Sequence, residues 1–330
     1  MTNSWRALAR MARDRLVAAD PEDLTLVLGL WYLRLSALAR LRLFNQTAAE
    51  CTNLFAVLDA ADPPAARAWL FERLLPFELE VLRARLRYWA GDPAGYADAL
   101  AGLLAKCRAR ARQAARAGDA AGMWRERGAR LALILASQLV EAKDYGAAAR
   151  LLGPLAASAE LRSAVGRIYL QAGDVGGAER LFAAVAAEVG AGEAGEGPLA
   201  AQVATNEAML AAAKGEWARA DAVLRGLLER EQDNYAVWSA ERRASAFTTF
   251  IPTFSCLPML TPEQAIAVLE KALHAAPAAI AVAEPFLFNL STLYELRSAS
   301  AVNNKRELLI TVARYSGDGL RTTCLKMPTS

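Results

Sequence analysis

The chain has 330 residues, of which 55% are hydrophobic, and its 38 basic and 35 acidic side chains leave a net charge of +3. This near balance is not that of a general nucleic-acid-binding protein. The four scattered cysteines match no zinc-ligand spacing and favour a reducing compartment. Helix-forming Ala, Leu, Arg and Glu are abundant, and strict apolar/polar alternation is missing. We therefore expect an all-α protein.

Residues 1–128 are predicted to form helices without a repeat signature. Residues 20–23 read Asp-Pro-Glu-Asp, which predicts a helix start with Asp20 as the capping residue and Pro21 in the first turn. That helix is expected to reach about Phe44. Breaks between later helices are predicted at Pro63-Pro64, Pro76 and Gly91-Asp92-Pro93.

From residue 129 onward the pattern becomes that of a helical repeat. Gly166 and Tyr169 lie in one predicted helix, and Ala178 and Phe182 lie in the next. These pairs are the G-x-x-Y and A-x-x-x-F elements of the tetratricopeptide (TPR) repeat. The small residues allow two antiparallel helices to approach, and the aromatic rings fill the space beside them. A bulky side chain at either small position should force the helices apart.

Partial matches extend the repeat over residues 129–315. Further second-helix pairs are Ala220 with Leu224 and Ala265 with Leu269. The turn spacing departs from the usual 34 residues, because a Gly/Glu-rich stretch at 190–198 interrupts the array. We therefore predict an irregular TPR helical-repeat solenoid, preceded by the atypical helical N-terminal region and followed by a C-terminal tail at 316–330.

The sequence lacks the residue combinations that catalysis or metal binding requires. His274 is the single histidine, which rules out multi-histidine metal sites. It is expected to be a surface residue at a helix end near Pro277, which makes it a poor candidate for a Ser-His-Asp or Cys-His site. No phosphate-binding glycine loop follows a strand. We therefore predict that the protein is not an enzyme and has no catalytic, cofactor-binding or metal-binding residue.

Residues 106–130 concentrate positive charge, with eight basic and two acidic side chains. Arg108, Arg112 and Arg116 recur every four residues and are predicted to form a basic stripe on one helix face. Three interpretations remain open: a solvated face, a contact for an acidic partner protein, or a site for anionic lipid or RNA on a peripheral helical-repeat protein. Trp124 is the one aromatic residue in this stretch, which counts against single-stranded nucleic acid.

Segments spread over nearly the whole chain share a further likeness. The longest, at 23–46, includes Leu-Trp-Tyr-Leu-Arg-Leu-Ser-Ala-Leu-Ala-Arg-Leu-Arg-Leu-Phe-Asn at 30–45; the others are 75–80, 88–92, 161–169, 285–290, 294–296 and 317–325. They resemble the TPR-containing subunit-twelve family of the transport protein particle (TRAPP) tethering complex, most closely its fungal forms. The likeness includes N-terminal helices that lie outside the repeats, so it is more specific than a TPR pattern.

The resemblance implies a non-catalytic scaffold subunit of a TRAPP III-type vesicle-tethering complex. In that role the chain would contact other large TRAPP subunits. It would be linked indirectly to a Rab1-type GTPase, whose nucleotide exchange the complex promotes in ER-to-Golgi transport and autophagy. It would be cytoplasmic and peripheral at ER and Golgi membranes through the complex, with no cofactor and no nucleic-acid partner.

Two features depart from the family pattern. Relatives commonly carry a long extension before the first helix, so we expect this chain to be a short form or a fragment. Residues 238–260 form a Ser/Thr/Phe/Pro-rich stretch, with Pro252 and Pro258, where the family has a regular TPR helix. Because proline disrupts a helix interior, we expect a disordered segment or a gene-prediction error there.

Overall fold

The computed structural model describes residues 4–116, 121–190, 198–230, 262–275, 277–296 and 301–326. Throughout these residues the regular structure is helical and no strand forms. The predicted all-α, helical-repeat class is therefore confirmed. The segment 238–260, predicted to be disordered or a gene-prediction error, lies outside the described residues.

Short connections join several pairs of consecutive helices that pack against each other. The helices are α1 (Trp5–Ala18), α2 (Leu24–Arg40), α3 (Phe44–Asp59), α4 (Pro64–Trp69), α5 (Phe77–Trp89), α6 (Pro93–Arg116), α7 (Gly122–Glu141), α8 (Tyr145–Leu152), α9 (Ala159–Gln171), α10 (Val175–Gly190), α11 (Pro198–Ala213), α12 (Trp217–Arg230), α13 (Pro262–Ala275), α14 (Pro277–Ile280), α15 (Glu284–Leu296) and α16 (Ala301–Ser316). Shorter helical turns are a π-helical turn (Leu70–Leu74) and 3-10 turns at Gly153–Leu155, Gly317–Gly319 and Thr322–Leu325.

The same backbone turn ends five of these helices. A residue with φ between 61° and 84° follows each of them: Arg42, Gly91, Lys143, Gly173 and Gly215. The next N–H then donates to a carbonyl five residues back, as from Asp174 to Tyr169 at 2.9 Å and from Asp144 to Leu139 at 2.8 Å. This left-handed turn closes the last carbonyls of a helix, and glycine adopts it without strain.

An aspartate directly after the turn begins the next helix at three of these positions. The side chains of Asp92, Asp144 and Asp174 each accept a hydrogen bond from the N–H three residues later, at 2.8, 2.9 and 2.7 Å. Each bond satisfies one of the N–H groups that the first turn of a helix leaves without a partner. Two adjacent residues therefore stop one helix and start another.

The predicted bounds of α2 were wrong at both ends. Asp23, not Asp20, is the capping residue, and its carboxylate accepts from the Leu26 N–H at 3.0 Å. Asp20 instead accepts from the Glu22 N–H at 3.0 Å, within the preceding turn. Both aspartates have the right chemistry for a cap, but the helix is capped by Asp23, which lies next to the apolar run. The helix stops at Arg40, before Phe44, because the left-handed turn follows it.

The chain folds into two compact units, one of residues 1–128 with 316–320, the other of residues 129–315 with 321–330. The stretch 316–330, predicted as a tail, is thus divided between them. In the first unit, α2, α3 and α5 contribute the main apolar cluster, which includes the fully buried Leu35, Cys51 and Leu79. Arg6 at the start of α1 donates its N–H to the Asp318 carboxylate at 3.0 Å, so the 3-10 turn there packs on α1.

The second unit has a different main cluster, built around α7, α8 and α9. Its buried residues are Ala136, Ala148, Ala149, Leu152, Val165 and Ile168. Alanines make up half of them, so neighbouring helix backbones can approach closely. Later in this unit Lys305 on α16 is buried, and its ammonium donates to the Glu295 carboxylate at 2.6 Å and to the Lys326 carbonyl at 2.9 Å.

Candidate interaction surface

Helix α6 has one face that the fold uses and one that it leaves exposed. Tyr96, Leu100, Leu104 and Cys107 are buried, and α6 packs beside α5. Their spacing of three and four residues places them on one side of the helix. The basic residues of the helix lie outside this buried stripe, and the structure separates them into two groups.

Two of the basic residues are neutralised within the first unit. The Lys106 ammonium lies 2.9 and 2.8 Å from the two carboxylate oxygens of Glu80 on α5. Arg110 pairs with Glu72 in the π-helical turn. Both pairs connect α6 to elements that precede it in the chain, so these two positive charges have structural roles.

A third basic side chain of this region, Arg127 on α7, lies over two aromatic rings. The Arg127 guanidinium lies 5.0 Å from the ring centroids of both Phe77 and Trp124. Phe77 is itself buried and meets Trp124 edge to face, at 6.4 Å. Cation–π attraction accounts for this arginine, and Trp124 is occupied by packing within the unit.

The predicted stripe remains exposed. Arg108, Arg112 and Arg116 all face solvent, and no carboxylate of the described residues forms an ion pair with any of them. Asp98, near the other end, is the one acidic residue of α6. Like charges four residues apart repel, and the helix dipole favours a cation only in the last turn, which covers Arg116 alone. The stability of α6 therefore does not explain the stripe.

Within the second unit, the predicted TPR residues Gly166 and Phe182 meet directly. Gly166 on α9 is buried, and Phe182 on α10 is 5% exposed. A Cβ atom built on Gly166 would lie 2.4 Å from Cε1 of the Phe182 ring, far inside van der Waals contact. Ala178 is fully buried on α10, and Tyr169 packs against the α7–α9 cluster. The absence of a side chain at Gly166 is what admits the ring.

The other predicted packing residues lie on the helices expected for them. Ala220 on α12 is 1% exposed and Leu269 on α13 is 4% exposed. Leu224 and Ala265 are on the same two helices, but their side chains lie outside the described ones. The assignment of these residues to TPR repeats stays a prediction.

A polar contact between α9 and α11 was not foreseen from the sequence. Asn206 on α11 is 1% exposed, donates to the Ser163 hydroxyl at 2.8 Å, and accepts from Nε and Nη2 of Arg167 at 3.3 and 3.2 Å. A buried amide costs free energy unless it is hydrogen-bonded. The three side chains therefore fix the pairing of α9 with α11. In the sequence, an asparagine on a helix resembles an ordinary surface residue.

Burial also governs the chemistry of two cysteines in the first unit. Burial raises the pKa of the Cys51 thiol to about 11 and also raises the pKa of Cys107, so both stay protonated and unreactive at neutral pH. Within the described ranges, no cluster of His, Cys, Asp and Glu could hold a metal ion. Among those same residues, none of the helices is both long and apolar enough to span a bilayer.

Two curated proteins are similar to the chain over most of its length. Trafficking protein particle complex subunit 12 of Mus musculus is 26% identical over an alignment of 330 residues that covers 91% of this chain and 39% of the mouse protein. The Homo sapiens protein of the same name is 26% identical, with 91% of this chain and 42% of the human protein covered. No family model matches the chain.

These alignments confirm the resemblance that separate segments indicated. The chain spans about two fifths of the length of the curated relatives it matches. Because it takes in 91% of the chain, the covered part includes most of residues 1–128 as well as most of the helices that follow.

Proposed function

We propose that the chain is a non-catalytic scaffold subunit of a TRAPP-type vesicle-tethering complex. The observation that carries the proposal is the similarity to two trafficking protein particle complex subunits, which extends over 91% of the chain and so through both units. A resemblance limited to the repeats would indicate a TPR fold and nothing further about function.

The architecture supports a binding role. The described residues form consecutive helices, many of which pack on their neighbours, and helical-repeat proteins commonly bind other proteins on their surfaces. The single histidine, His274, is exposed near the end of α13, where its Nδ1 lies 2.7 Å from the Glu270 carbonyl oxygen. That position caps a helix end and needs no catalytic explanation.

At a finer level we propose membership of a TRAPP III-type complex that supports activation of a Rab1-type GTPase. The partners would be other large TRAPP subunits, and the GTPase would be reached indirectly through them. The chain would act in the cytoplasm, peripherally at ER and Golgi membranes, in ER-to-Golgi transport and autophagy. These details rest on the family resemblance of segments that extend from 23–46 to 317–325.

Affinity purification tests the proposal. The tagged chain would be isolated from its own cells at physiological salt, beside the same tag on an unrelated helical protein, and co-purifying proteins identified by mass spectrometry. Other TRAPP subunits should be enriched with the chain and not with the control. Recovery without any of them would contradict the proposal.

The finer proposal needs a separate measurement. Nucleotide exchange on a Rab1-type GTPase would be followed with the complex purified from cells that contain the chain and from cells that lack it. If the chain supports activation, the complex that lacks it should show a lower rate of nucleotide exchange. Equal rates would remove the link to the GTPase and leave the scaffold role in place.

A further inference from the structure

The exposed arginine stripe of α6 has the geometry of a docking surface. We infer that Arg108, Arg112 and Arg116 bind an acidic helix of a partner protein. The inference rests on the proposed scaffold function and adds to it a surface and a class of partner. It starts from the separation of the basic residues in this region into those with partners among the described residues of the unit and the three arginines without an ion pair there.

The spacing of the stripe matches a facing helix. Four residues advance a helix by about 6 Å, so the three arginines span about 12 Å along one side. Carboxylates four residues apart on a second helix advance by the same step, and each could accept both parallel N–H groups of one guanidinium. Opposite charges would thereby replace the repulsion that the arginines exert on one another along α6.

The residues around the stripe leave room for such a helix. Three alanines are exposed on the same side of α6, and each has only a methyl group as its side chain: Ala101, Ala105 and Ala109. A helix lying beside the arginines would therefore meet no long side chain at these three turns. The alanines let a second helix reach the arginines, and the positive charge of the arginines selects a helix that carries acidic residues.

The composition of this side of α6 argues for a protein partner over a membrane or RNA. An interfacial helix inserts large apolar side chains beside its basic residues, but the large exposed hydrophobic residues of the described chain lie elsewhere than α6. Binding of single-stranded RNA relies on stacked aromatic rings. The one aromatic residue of α6, Tyr96, is buried.

Defined peptides provide the direct test. One labelled Ala-based helical peptide would carry three Glu residues four positions apart, and a second, of identical composition, would distribute them around the helix. Binding to the full chain would be measured by fluorescence anisotropy at low and physiological salt.

The stripe variant would be Arg108→Glu/Arg112→Glu/Arg116→Glu, with an Arg→Gln version as a milder change. The matched control is Arg150→Glu/Arg180→Glu/Arg314→Glu, which alters three exposed arginines of the second unit by the same net charge.

The wild-type chain should bind the aligned peptide more tightly than the scrambled one. Loss of three partly exposed ion pairs should weaken the binding of the stripe variant to the aligned peptide about tenfold. The affinity of the control variant should stay within about twofold of that of the wild type. Added salt should weaken the specific binding. Circular dichroism would establish that each variant keeps its helix content.

Several outcomes would overturn the inference. These are equal binding of the two peptides, equal loss in the stripe and control variants, or binding to phosphatidylserine vesicles or an RNA oligonucleotide with no preference for the aligned peptide. The proposed scaffold function is decided separately by co-purification. Loss of peptide specificity with TRAPP subunits still recovered removes only the docking surface; peptide specificity without recovered subunits removes only the scaffold role.

Discussion

The two units end their helices in the same way but fill the space between helices differently. In the first unit, aromatic rings lie in pairs, with centroids 4.6 to 6.4 Å apart: Phe44–Trp89, Phe55–Phe71, Phe77–Trp124 and Tyr88–Tyr96. Arginines lie over several rings of this unit, as Arg83 lies 4.5 Å from the ring of Phe55. In the second unit, alanines make up half of the buried residues of the main cluster, and a glycine of α9 faces a phenylalanine ring of α10.

This difference implies opposite sensitivities to mutation. The first unit depends on bulk that is present, so removal of side-chain volume should harm it most. The α9–α10 hairpin of the second unit depends on bulk that is absent, so added volume should harm it most. The shared left-handed turns contribute to both units and do not distinguish them.

The largest effect is expected from Leu79→Ala in the first unit. Leu79 is fully buried, and the variant should lose about 3 kcal/mol of unfolding free energy through lost burial and a cavity. Hydrogen exchange measured by mass spectrometry should accelerate in α2, α3 and α5 and stay unchanged in α9 and α10. Val57→Ala, at a position that is 72% exposed, is the control and should change stability by less than about 0.5 kcal/mol. Acceleration spread evenly over both units would contradict the comparison.

The reverse change, Gly166→Val, should destabilise the second unit by about 2 kcal/mol. The new side chain would overlap the Phe182 ring, so α9 and α10 must separate or the ring must leave its site. Gly176→Ala is a matched control on the same hairpin, because its Cβ would meet only the ends of the Arg180 and Asp174 side chains, at 3.8 and 3.9 Å. That variant should be unchanged or up to about 1 kcal/mol more stable. Denaturant unfolding gives both values, and equal stability of Gly166→Val and wild type would contradict the close approach.

A smaller effect is expected when the contact between α9 and α11 loses its amide. Asn206→Ala leaves the Ser163 hydroxyl and the Arg167 guanidinium without that partner, which should cost about 1.5 kcal/mol. The protection from hydrogen exchange should fall in both helices together. Asn53→Ala on α3, at an exposed position, should leave exchange in α9 and α11 as it is. A change in α11 alone would show that the contact does not couple them.

The smallest effect concerns a partly buried ion pair of the first unit. Arg34 on α2 donates to both carboxylate oxygens of Glu50 on α3 at 2.6 Å and to the Ala9 carbonyl of α1 at 3.1 Å. Burial alone would raise the pKa of Glu50. The hydrogen bonds from Arg34 and Gln46 and the charge of Arg34 together outweigh this effect and hold the pKa below its usual 4.5. A carboxyl with a lowered folded-state pKa stabilises the fold above its unfolded-state pKa, and this stability is lost as the pH falls through the folded value.

Glu50→Gln should therefore cost about 1 kcal/mol at pH 7, and this difference should shrink as the pH falls through the folded-state pKa of Glu50. Unfolding free energies measured over pH 3 to 7 would give the two profiles. Asp98→Asn on α6, also exposed, serves as the reference for loss of an exposed charge. A constant difference between wild type and Glu50→Gln over the whole range would exclude the ion pair as the source.

Local chemistry made much of the fold predictable. Gly91, Gly173 and the aspartates after them are adjacent in sequence, so the turn they form can be recognised without any tertiary information. Gly166 and Phe182 could be paired because a repeat motif supplies their relation in space. The error at Asp20 has the same origin, since two aspartates three residues apart both have the chemistry of a cap and only the folded chain selects one.

The roles of charged and polar residues were far less predictable. Lys106 and Arg108 are equivalent in the sequence, yet one is paired with Glu80, 26 residues away, and the other is exposed. Such pairs depend on how α5 and α6 pack, which helical periodicity alone does not determine. The same holds for Asn206, whose partners lie on another helix. The sequence could therefore locate the basic region but not the part of it that remains available for binding.

The central claim, a scaffold within a TRAPP-type complex, is tested most directly by the native size of the protein. Size-exclusion chromatography of a gently prepared cell extract would be followed by immunodetection of the chain and of other TRAPP subunits. We predict that the chain elutes with those subunits, at a size far above its own 35.4 kDa. Elution at the monomer size, in fractions without any other TRAPP subunit, would contradict the claim.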